Sequence, residues 1–250
     1  LDRGAGHLHA LKFAQGLARA AAKAGARIHE GTAALKLSRN GPPLIHTSRG
    51  QIAADVVILA GNGYLDGIEE DVETRVLPIK NFILTTAPIG AGTAGGLLPG
   101  GEAVSDSRFV VYYWRPTPDG RLLFGGGETY SRSDPRYVFL FVRRHLLRIY
   151  PELAGTRVDH AWGGMLAVTV NRLPFIRRVR PGVYAASGYS GQGVALAPYG
   201  GKVLADAIRS DTGRLDIFAA LPAPHFPGGK LLRYPALVAG MTWYALRDRL

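Results

Sequence analysis

The sequence predicts an α/β (α+β) chain: a parallel-strand layer interrupted by an antiparallel β-rich insertion. Three observations carry this. The run Asp55-Val56-Val57-Ile58-Leu59-Ala60 has the near-continuous branched apolar character of a parallel strand and runs straight into Gly61-Asn62-Gly63. A second apolar run, Val183-Tyr184-Ala185-Ala186, ends on Gly188-Tyr189-Ser190-Gly191-Gln192-Gly193 and leads to a helical stretch, Lys202 to Ile208. Between them, from Val76, strand-like segments and a strong turn signal replace the strand–glycine–helix pattern.

Taken in order, His9 to Gly25 is an amphipathic helix. Leu11, Phe13, Ala14, Leu17, Ala18, Ala21 and Ala22 recur at helical spacing, with Lys12, Gln15, Arg19 and Lys23 opposite and Gly25 as the stop. Arg27 to Glu30 reads as a short strand. Ala33–Leu37 and Leu44–Thr47 read as hairpin arms around Asn40-Gly41-Pro42-Pro43, and Ile52 opens a further strand before Asp55–Ala60. In the insertion, Ile83–Thr86, Phe109–Trp114 and Arg121–Phe124 are strand-like. The last two flank Arg115-Pro116-Thr117-Pro118-Asp119-Gly120 and so form an antiparallel hairpin. Gly90–Gly101 is a loop, and Val138–Tyr150 is a helix ended by Pro151. From Ala161 the chain is expected to return to the first domain.

Composition narrows the function classes. The 250 residues are 47% hydrophobic with no cysteine, which excludes disulfides, thiolate metal sites and cysteine nucleophiles and agrees with a reducing, cytoplasmic setting. No apolar run approaches the ~20 residues that span a bilayer. The opening Leu1-Asp2-Arg3-Gly4-Ala5-Gly6-His7 has neither Met nor an apolar leader, so the sequence reads as a piece of a longer chain. The net charge of +11 is dispersed, with no run of five basic residues. A solvated basic surface is the ordinary reading; a basic module for nucleic acid or an acidic partner is the alternative class.

The residues themselves leave the chemistry open. Gly61-x-Gly63 is half a dinucleotide fingerprint, with Asp66 where a third glycine is expected. No full G-x-G-x-x-G follows a first strand anywhere, and no P-loop occurs. Gly188-Tyr189-Ser190-Gly191 is not a nucleophile elbow, and the seven histidines have no metal-ligand spacing. A glycine-rich turn before a helix leaves unpaired N–H groups at the positive end of the helix dipole, where backbone can approach a flat or anionic ligand edge. An ordinary packed turn is the competing reading. In Tyr112-Tyr113-Trp114 alternate side chains face opposite ways, so one face can wall a pocket. Gly125-Gly126-Gly127 and Trp162-Gly163-Gly164 are further sites of close backbone approach.

Taken together and in order, these segments resemble the flavin-dependent oxidoreductases of the D-amino-acid-oxidase fold, with the gamma-glutamylputrescine oxidoreductase branch nearest. The resemblance rests on Gly6-His7-Leu8-His9, Glu30-Gly31-Thr32, Val57 to Tyr64, Asp119 to Gly126 and Ala161-Trp162-Gly163-Gly164. The more specific motifs are Thr169-Val170-Asn171-Arg172-Leu173-Pro174, Gly188 to Ala197, and Phe226-Pro227-Gly228-Gly229. It implies a partial FAD-binding Rossmann-like domain (residues 1–75 and 160–250, lacking its first βαβ unit) with an inserted antiparallel β-sheet substrate domain (76–159).

What the resemblance implies for the site follows residue by residue. FAD contacts fall on Ala34 near the adenine, and on Ala60 and Gly61 by the pyrophosphate and ribityl chain. Gly188, Tyr189, Ser190, Gly191, Gln192, Gly193 and Val194 meet the isoalloxazine through backbone N–H groups. Gln192 stands where many members carry His. Substrate contacts fall on Tyr113, Glu128 and Trp162; Lys80 is a weaker candidate near the flavin, with a solvated lysine as the ordinary reading. Leu166 occupies the place of the arginine that grips a substrate carboxylate in amino-acid oxidases, which points to an amine rather than a simple α-amino acid. Glycine, D-amino-acid or sarcosine oxidation is the alternative within the enzymes. The implied reaction is hydride transfer from the amine-bearing carbon to flavin, with oxygen first among the possible acceptors and another acceptor as the alternative, and it requires no particular acid–base residue and no metal.

Overall fold

The computed structural model describes residues 2–65, 67–90, 96–108, 111–129 and 136–227, with positions 232, 235, 238–240 and 243. In chain order the first elements are α1 (Ala10–Lys23), β1 (Ala34–Leu37), β2 (Leu44–Thr47), β3 (Gly50–Ala53), β4 (Val57–Leu59) and α2 (Glu70–Glu73). There follow β5 (Leu77–Thr86), β6 (Val104–Ser105), β7 (Tyr113–Pro116), β8 (Leu122–Thr129), α3 (Val138–Ile149) and β9 (Val158–Val168). The last are β10 (Phe175–Arg180), β11 (Val183–Ser187), α4 (Gly193–Ile208) and α5 (Gly213–Ala220). The chain divides into two compact units, Leu8–Pro78 with Leu166–Arg233, and Leu1–His7 with Ile79–Met165 and Tyr234–Leu250.

In the first unit the two apolar runs that end on glycine turns are neighbours. β4 pairs in parallel with β11, Val57 opposite Val183 and Leu59 opposite Ala185, and β10 pairs antiparallel on the far side of β11. One face of this sheet is dry: Val57, Leu59, Val183 and Ala185 pack with Leu37, Val72, Val76 and Phe175. On the other face Ile176, Ala186 and Tyr189 pack with Val203, Leu204 and Ala207 of α4. Gly200 permits that approach, because a Cβ there would meet Ile176 Cδ1 at 3.1 Å. The helix starts nine residues earlier than the sequence suggested, with Pro198 inside it.

Two expectations fail in this unit. β4 is parallel but buried on one face alone, for Ile58 is 45% exposed. It is the edge strand in the order β10-β11-β4, and α4 covers β10 and β11. Arg27–Glu30 forms no strand: residues 27–29 have no regular structure and Glu30 begins a turn, since no strand lies beside them among the described residues and a strand exists only by its ladder. The helix α1 forms as its apolar spacing dictates, with the His9 ring accepting from the Lys12 N–H and Gly25 in the left-handed region at φ 95°. Its apolar stripe stays open, with Leu11 62% exposed. The hairpin β1–β2 and its extension to β3 follow the sequence.

The second unit is a five-stranded sheet in the order β6-β7-β8-β5-β9, covered on one face by α3. Phe82, Leu84, Trp114, Leu122 and Phe124 point into that core against Val142 and Leu146, with Trp114 stacked on Phe124 at 5.6 Å. Ala161 packs on the same core, and β9 runs through Trp162 to Val168 beside β5. The expected hairpin is present as β7 and β8. Phe109 and Val110, and residues 91–95 of the Gly90–Gly101 loop, lie outside the described residues.

Beneath the Gly126-Gly127 end of β8 sits a buried polar pair. A Cβ at Gly126 would lie 2.5 Å from the Tyr112 ring, and one at Gly127 would lie 3.3 Å from His145 Nε2. Arg144 Nε donates to His145 Nε2 at 3.3 Å. A guanidinium only donates, so the neutral imidazole carries its proton on Nδ1, which donates to the Tyr112 oxygen at 2.6 Å. Burial, and then the charges of Arg144, Arg148 and Arg108, push His145 down to about 4.

Its ordinary value is 6.5, so below that pH the unfolded chain binds a proton that the folded one refuses. Stability is therefore expected to fall as pH drops from 6.5 toward about 4, by on the order of 3 kcal/mol at most. Urea midpoints measured across that window should show the decline in the parent chain. His145→Gln should flatten it.

Candidate functional site

Two glycine turns leave the carboxyl ends of adjacent parallel strands, the place where open α/β sheets receive ligands. Ala60 and Gly61 follow β4, and Gly188 follows β11. They are tied together by Asn62. This residue sits between two glycines in the left-handed region at φ 49°, and its Oδ1 accepts from the Gly188 N–H at 3.2 Å and the Ser187 hydroxyl at 3.4 Å. A small pocket opens beside it, lined by Asn62, Gly63, Leu65, Val72, Glu73, Val76 and Pro78.

The turn itself is held residue by residue. Gly188 has φ 68°, and a Cβ there would lie 2.7 Å from Thr169 Cγ2. Tyr189 turns inward to the core, and burial pushes its phenol up to about 12. Ser190, left-handed at φ 50°, donates its N–H to Ala167 O at 2.9 Å, and its hydroxyl lies between Gly188 O and the Thr169 N–H at 3.3 Å each. Gly191, at φ 97°, has nothing within 4 Å of a built Cβ, so its backbone is open to approach. Gln192 is the N-cap of α4: its N–H reaches Tyr189 O at 2.9 Å, and its carbonyl accepts from Leu196 at 3.0 Å. The N–H groups of Gly193, Val194 and Ala195 form the first helical turn, which has no intrahelical acceptor. Oriented donors at a helix start suit a ligand edge that carries or acquires negative charge.

The other expected residues are distributed as follows. Ala34 lies on the separate β1-β2-β3 sheet, opposite Thr47 at an irregularity of register. Leu166 belongs to the unit of the glycine turns, while Tyr113, Glu128, Trp162 and Lys80 belong to the other. The Glu128 backbone pairs with Asn81, and its side chain lies outside the described residues. Tyr113 lies across β8 with its hydroxyl donating to Asn81 Oδ1 at 2.7 Å. Trp162 is 44% exposed. Its neighbour Gly163 faces the Phe82 ring, so Trp162 stands on the sheet face opposite α3. Among the described residues there is no cluster of three His, Asp or Glu able to hold a metal.

Two residues of this arrangement escaped sequence reasoning. Asn62 had a signal, a polar residue between two glycines at a strand end; Asn81 had a weaker one, an amide interrupting an apolar strand. Asn171 of the Thr169–Pro174 motif has a structural task. Its Nδ2 donates to Pro222 O at 2.7 Å, while Arg177 and Arg75 take the flanking carbonyls of Leu221 and Ala223 at 2.9 and 3.0 Å. Three successive carbonyls are thereby clamped to this unit. Gly228 and Gly229 lie outside the described residues.

Parallel strands ending in paired glycine turns, the second opening a helix, define an α/β protein built to receive a nucleotide-type ligand at its strand ends. Comparison makes this specific: residues 1–207 match the model described as FAD dependent oxidoreductase, and the chain belongs to that family. It is 46% identical over 249 residues to "Probable oxidoreductase OrdL" of Rhizobium meliloti (strain 1021), covering 99% of this chain and 58% of the relative. It is 38% identical over 251 residues to the gamma-glutamylputrescine oxidoreductase of Escherichia coli (strain K12), covering 100% of this chain and 59% of that one. Among solved structures, L-proline dehydrogenase from P. horikoshii matches with TM-score 0.68 at 24% identity, covering 83% of this chain and 57% of that one. Glycine oxidase from Geobacillus kaustophilus matches with TM-score 0.66 at 23% identity, covering 78% and 53%. These two share the fold. The chain thus spans somewhat under three-fifths of the curated relatives it matches most fully.

The residues present fit the family's cofactor. A built Cβ would fill the turn at Gly188, Gly191 is open, and the N–H groups of the first α4 turn have no acceptor within the helix. Replacing Asn62 by Ala should release the Gly188 turn from Gly61. The expected result is a flavin dissociation constant raised about tenfold, in keeping with the loss of roughly 1–2 kcal/mol of hydrogen bonding. Asn62→Asp, which keeps the acceptor, should lose less. Fluorescence titration of FAD into the apoprotein measures both.

Proposed function

We propose that the protein containing this chain oxidises an amine of the gamma-glutamylputrescine type with FAD as its cofactor. Gly188 to Val194 would hold the flavin edge through backbone N–H groups, Ala60 and Gly61 the pyrophosphate and ribityl chain, and Ala34 the adenine side. When bound, FAD supplies a two-electron acceptor. The substrate loses a hydride from the carbon bearing a neutral amine and a proton from nitrogen. Water then converts the resulting imine to aldehyde and ammonia, and oxygen takes up the electrons. The task of this chain is to bind, orient and polarise: the N–H groups at the start of α4 favour negative charge at the site they face.

The observation that favours an amine over an α-amino acid is Leu166. It is an aliphatic, half-buried side chain where an arginine would grip a carboxylate. Tyr113, Glu128 and Trp162 would contact the substrate, in a cytoplasmic setting that suits a cysteine-free chain. Among the described residues no helix is long and apolar enough to cross a membrane.

The full-length protein is expected to purify yellow. Its flavin absorbance should bleach under anaerobic mixing with gamma-glutamylputrescine and stay oxidised with glycine, D-alanine or sarcosine. A colourless protein that takes up no FAD, or bleaching by the three amino acids alone, would overturn the reading.

A further inference from the structure

The chain has four asparagines, and two of them precede glycine: Asn40-Gly41 and Asn62-Gly63. That pairing has a chemistry of its own. Glycine carries no Cβ to shield its N–H, so its nitrogen can reach the side-chain carbonyl carbon of the asparagine before it. By sequence the two pairs are alike. The fold puts them in opposite situations.

Asn40 and Gly41 form the exposed tip of the turn between β1 and β2. The base of this turn is tied three times. The Ser38 N–H donates to the Leu44 carbonyl at 2.9 Å, the Leu44 N–H to Ser38 Oγ at 2.9 Å, and the Ser38 hydroxyl to the Pro42 carbonyl at 3.2 Å. Nothing ties the tip. Neither the Asn40 amide nor the Gly41 N–H has a hydrogen-bond partner among the described residues. Gly41 is left-handed at φ 73°, and a Cβ built on it meets no atom within 4 Å.

Asn62 is held. Its Oδ1 accepts from the Gly188 N–H at 3.2 Å and the Ser187 hydroxyl at 3.4 Å, which commits its carbonyl to the neighbouring strand end and not to the peptide that follows. Asn81 and Asn171 precede Phe82 and Arg172, whose side chains crowd the attacking nitrogen, and their amides are bonded to the Tyr113 hydroxyl and the Pro222 carbonyl. Asp119-Gly120 is a related pair. There the Thr117 hydroxyl and Arg121 Nε hold the carboxylate at 2.6 and 2.7 Å and keep it ionised, and an ionised carboxylate is a poor electrophile.

We propose that Asn40 is a site of spontaneous deamidation, and that Asn62 is protected from the same reaction by its bonds to Ser187 and Gly188. The deprotonated Gly41 nitrogen attacks Asn40 Cγ and closes a five-membered succinimide. The bond from Cγ to the side-chain nitrogen breaks, and that nitrogen leaves as ammonia with the proton Gly41 gave up. Water then opens the ring at either carbonyl, to aspartate or isoaspartate. Nothing is oxidised or reduced. A neutral amide becomes a carboxylate next to Arg39, whose guanidinium pairs with Glu70 at 3.3 Å. Because the turn is tied below its tip, the pairing of β1 with β2 and the glycine turns at Gly61 and Gly188 stay as they are. The inference is independent of the amine-oxidation reading.

The test incubates the full-length FAD-loaded protein, beside the same protein unfolded in urea, until the unfolded reference is half converted. Peptide mapping by mass spectrometry then reads the gain of one mass unit at each asparagine. In urea the two Asn-Gly pairs should convert at similar rates. In the folded protein Asn40 should keep close to that rate, while Asn62 should convert at least about tenfold more slowly, as a locally protected group does. Conversion at Asn40 should quicken about tenfold per pH unit, in step with the deprotonated fraction of the attacking nitrogen. Asn40→Gln, whose longer side chain closes the ring reluctantly, should lose the acidic band that the parent develops on isoelectric focusing, with flavin spectrum and urea midpoint unchanged. Equal rates at the two pairs in the folded protein overturn the proposal. So does an Asn40 that converts only on unfolding, or an acidic band that persists unaltered in Asn40→Gln.

Discussion

The first unit depends on a single amide. Asn62 closes the gap between the ends of two parallel strands that are neighbours in space and far apart in sequence, and its Oδ1 receives donors from both Ser187 and Gly188. Parallel strands cannot be joined by a tight hairpin, so nothing local fixes the relation of their ends. A side chain from one turn bonded to the backbone of the other supplies that constraint. The rest is ordered around it. Ser190 is locked to Ala167 and Thr169, Tyr189 anchors below, and α4 leaves the turn with its first N–H groups directed away from its own backbone.

The second unit solves a different packing problem twice. Tyr112 and Tyr113 are consecutive, so they point to opposite faces of the sheet, and each lies over a consecutive glycine of β8, Gly126 and Gly125 respectively. Each hydroxyl then finds a buried polar partner: His145 under α3 and Asn81 on the open face. Leaving any of these four polar groups unpaired would cost about 1–3 kcal/mol of desolvation. The glycines are required because a ring cannot lie flat across a strand that carries a side chain at that point. The bulge that follows shifts the register of β8 against β5 between Gly125 and Glu128.

Each unit thus holds its own polar arrangement. One unit presents the open turn at Gly191 and the first N–H groups of α4, and the other packs the Tyr113 ring over Gly125. The chain belongs to the FAD dependent oxidoreductase family, and the solved structures it resembles share its fold.

Local patterns were legible in the sequence. The spacing of Leu11, Phe13 and Leu17 specified a helix, Asn40-Gly41-Pro42-Pro43 and Pro118-Asp119-Gly120 specified turns, and the apolar runs ending on Gly61 and Gly188 specified strands with open ends. These follow from periodicity and from φ, which neighbouring residues settle. Arg27–Glu30 shows the limit, because strand propensity without a partner yields no strand. Ile58 shows it again, since a two-sided burial pattern takes no account of which neighbours a helix covers. The roles of Asn62 and Asn81 were decided by tertiary structure alone. Their partners lie 126 and 32 residues away, and the direction of a hydrogen bond exists only once the fold has brought donor and acceptor together.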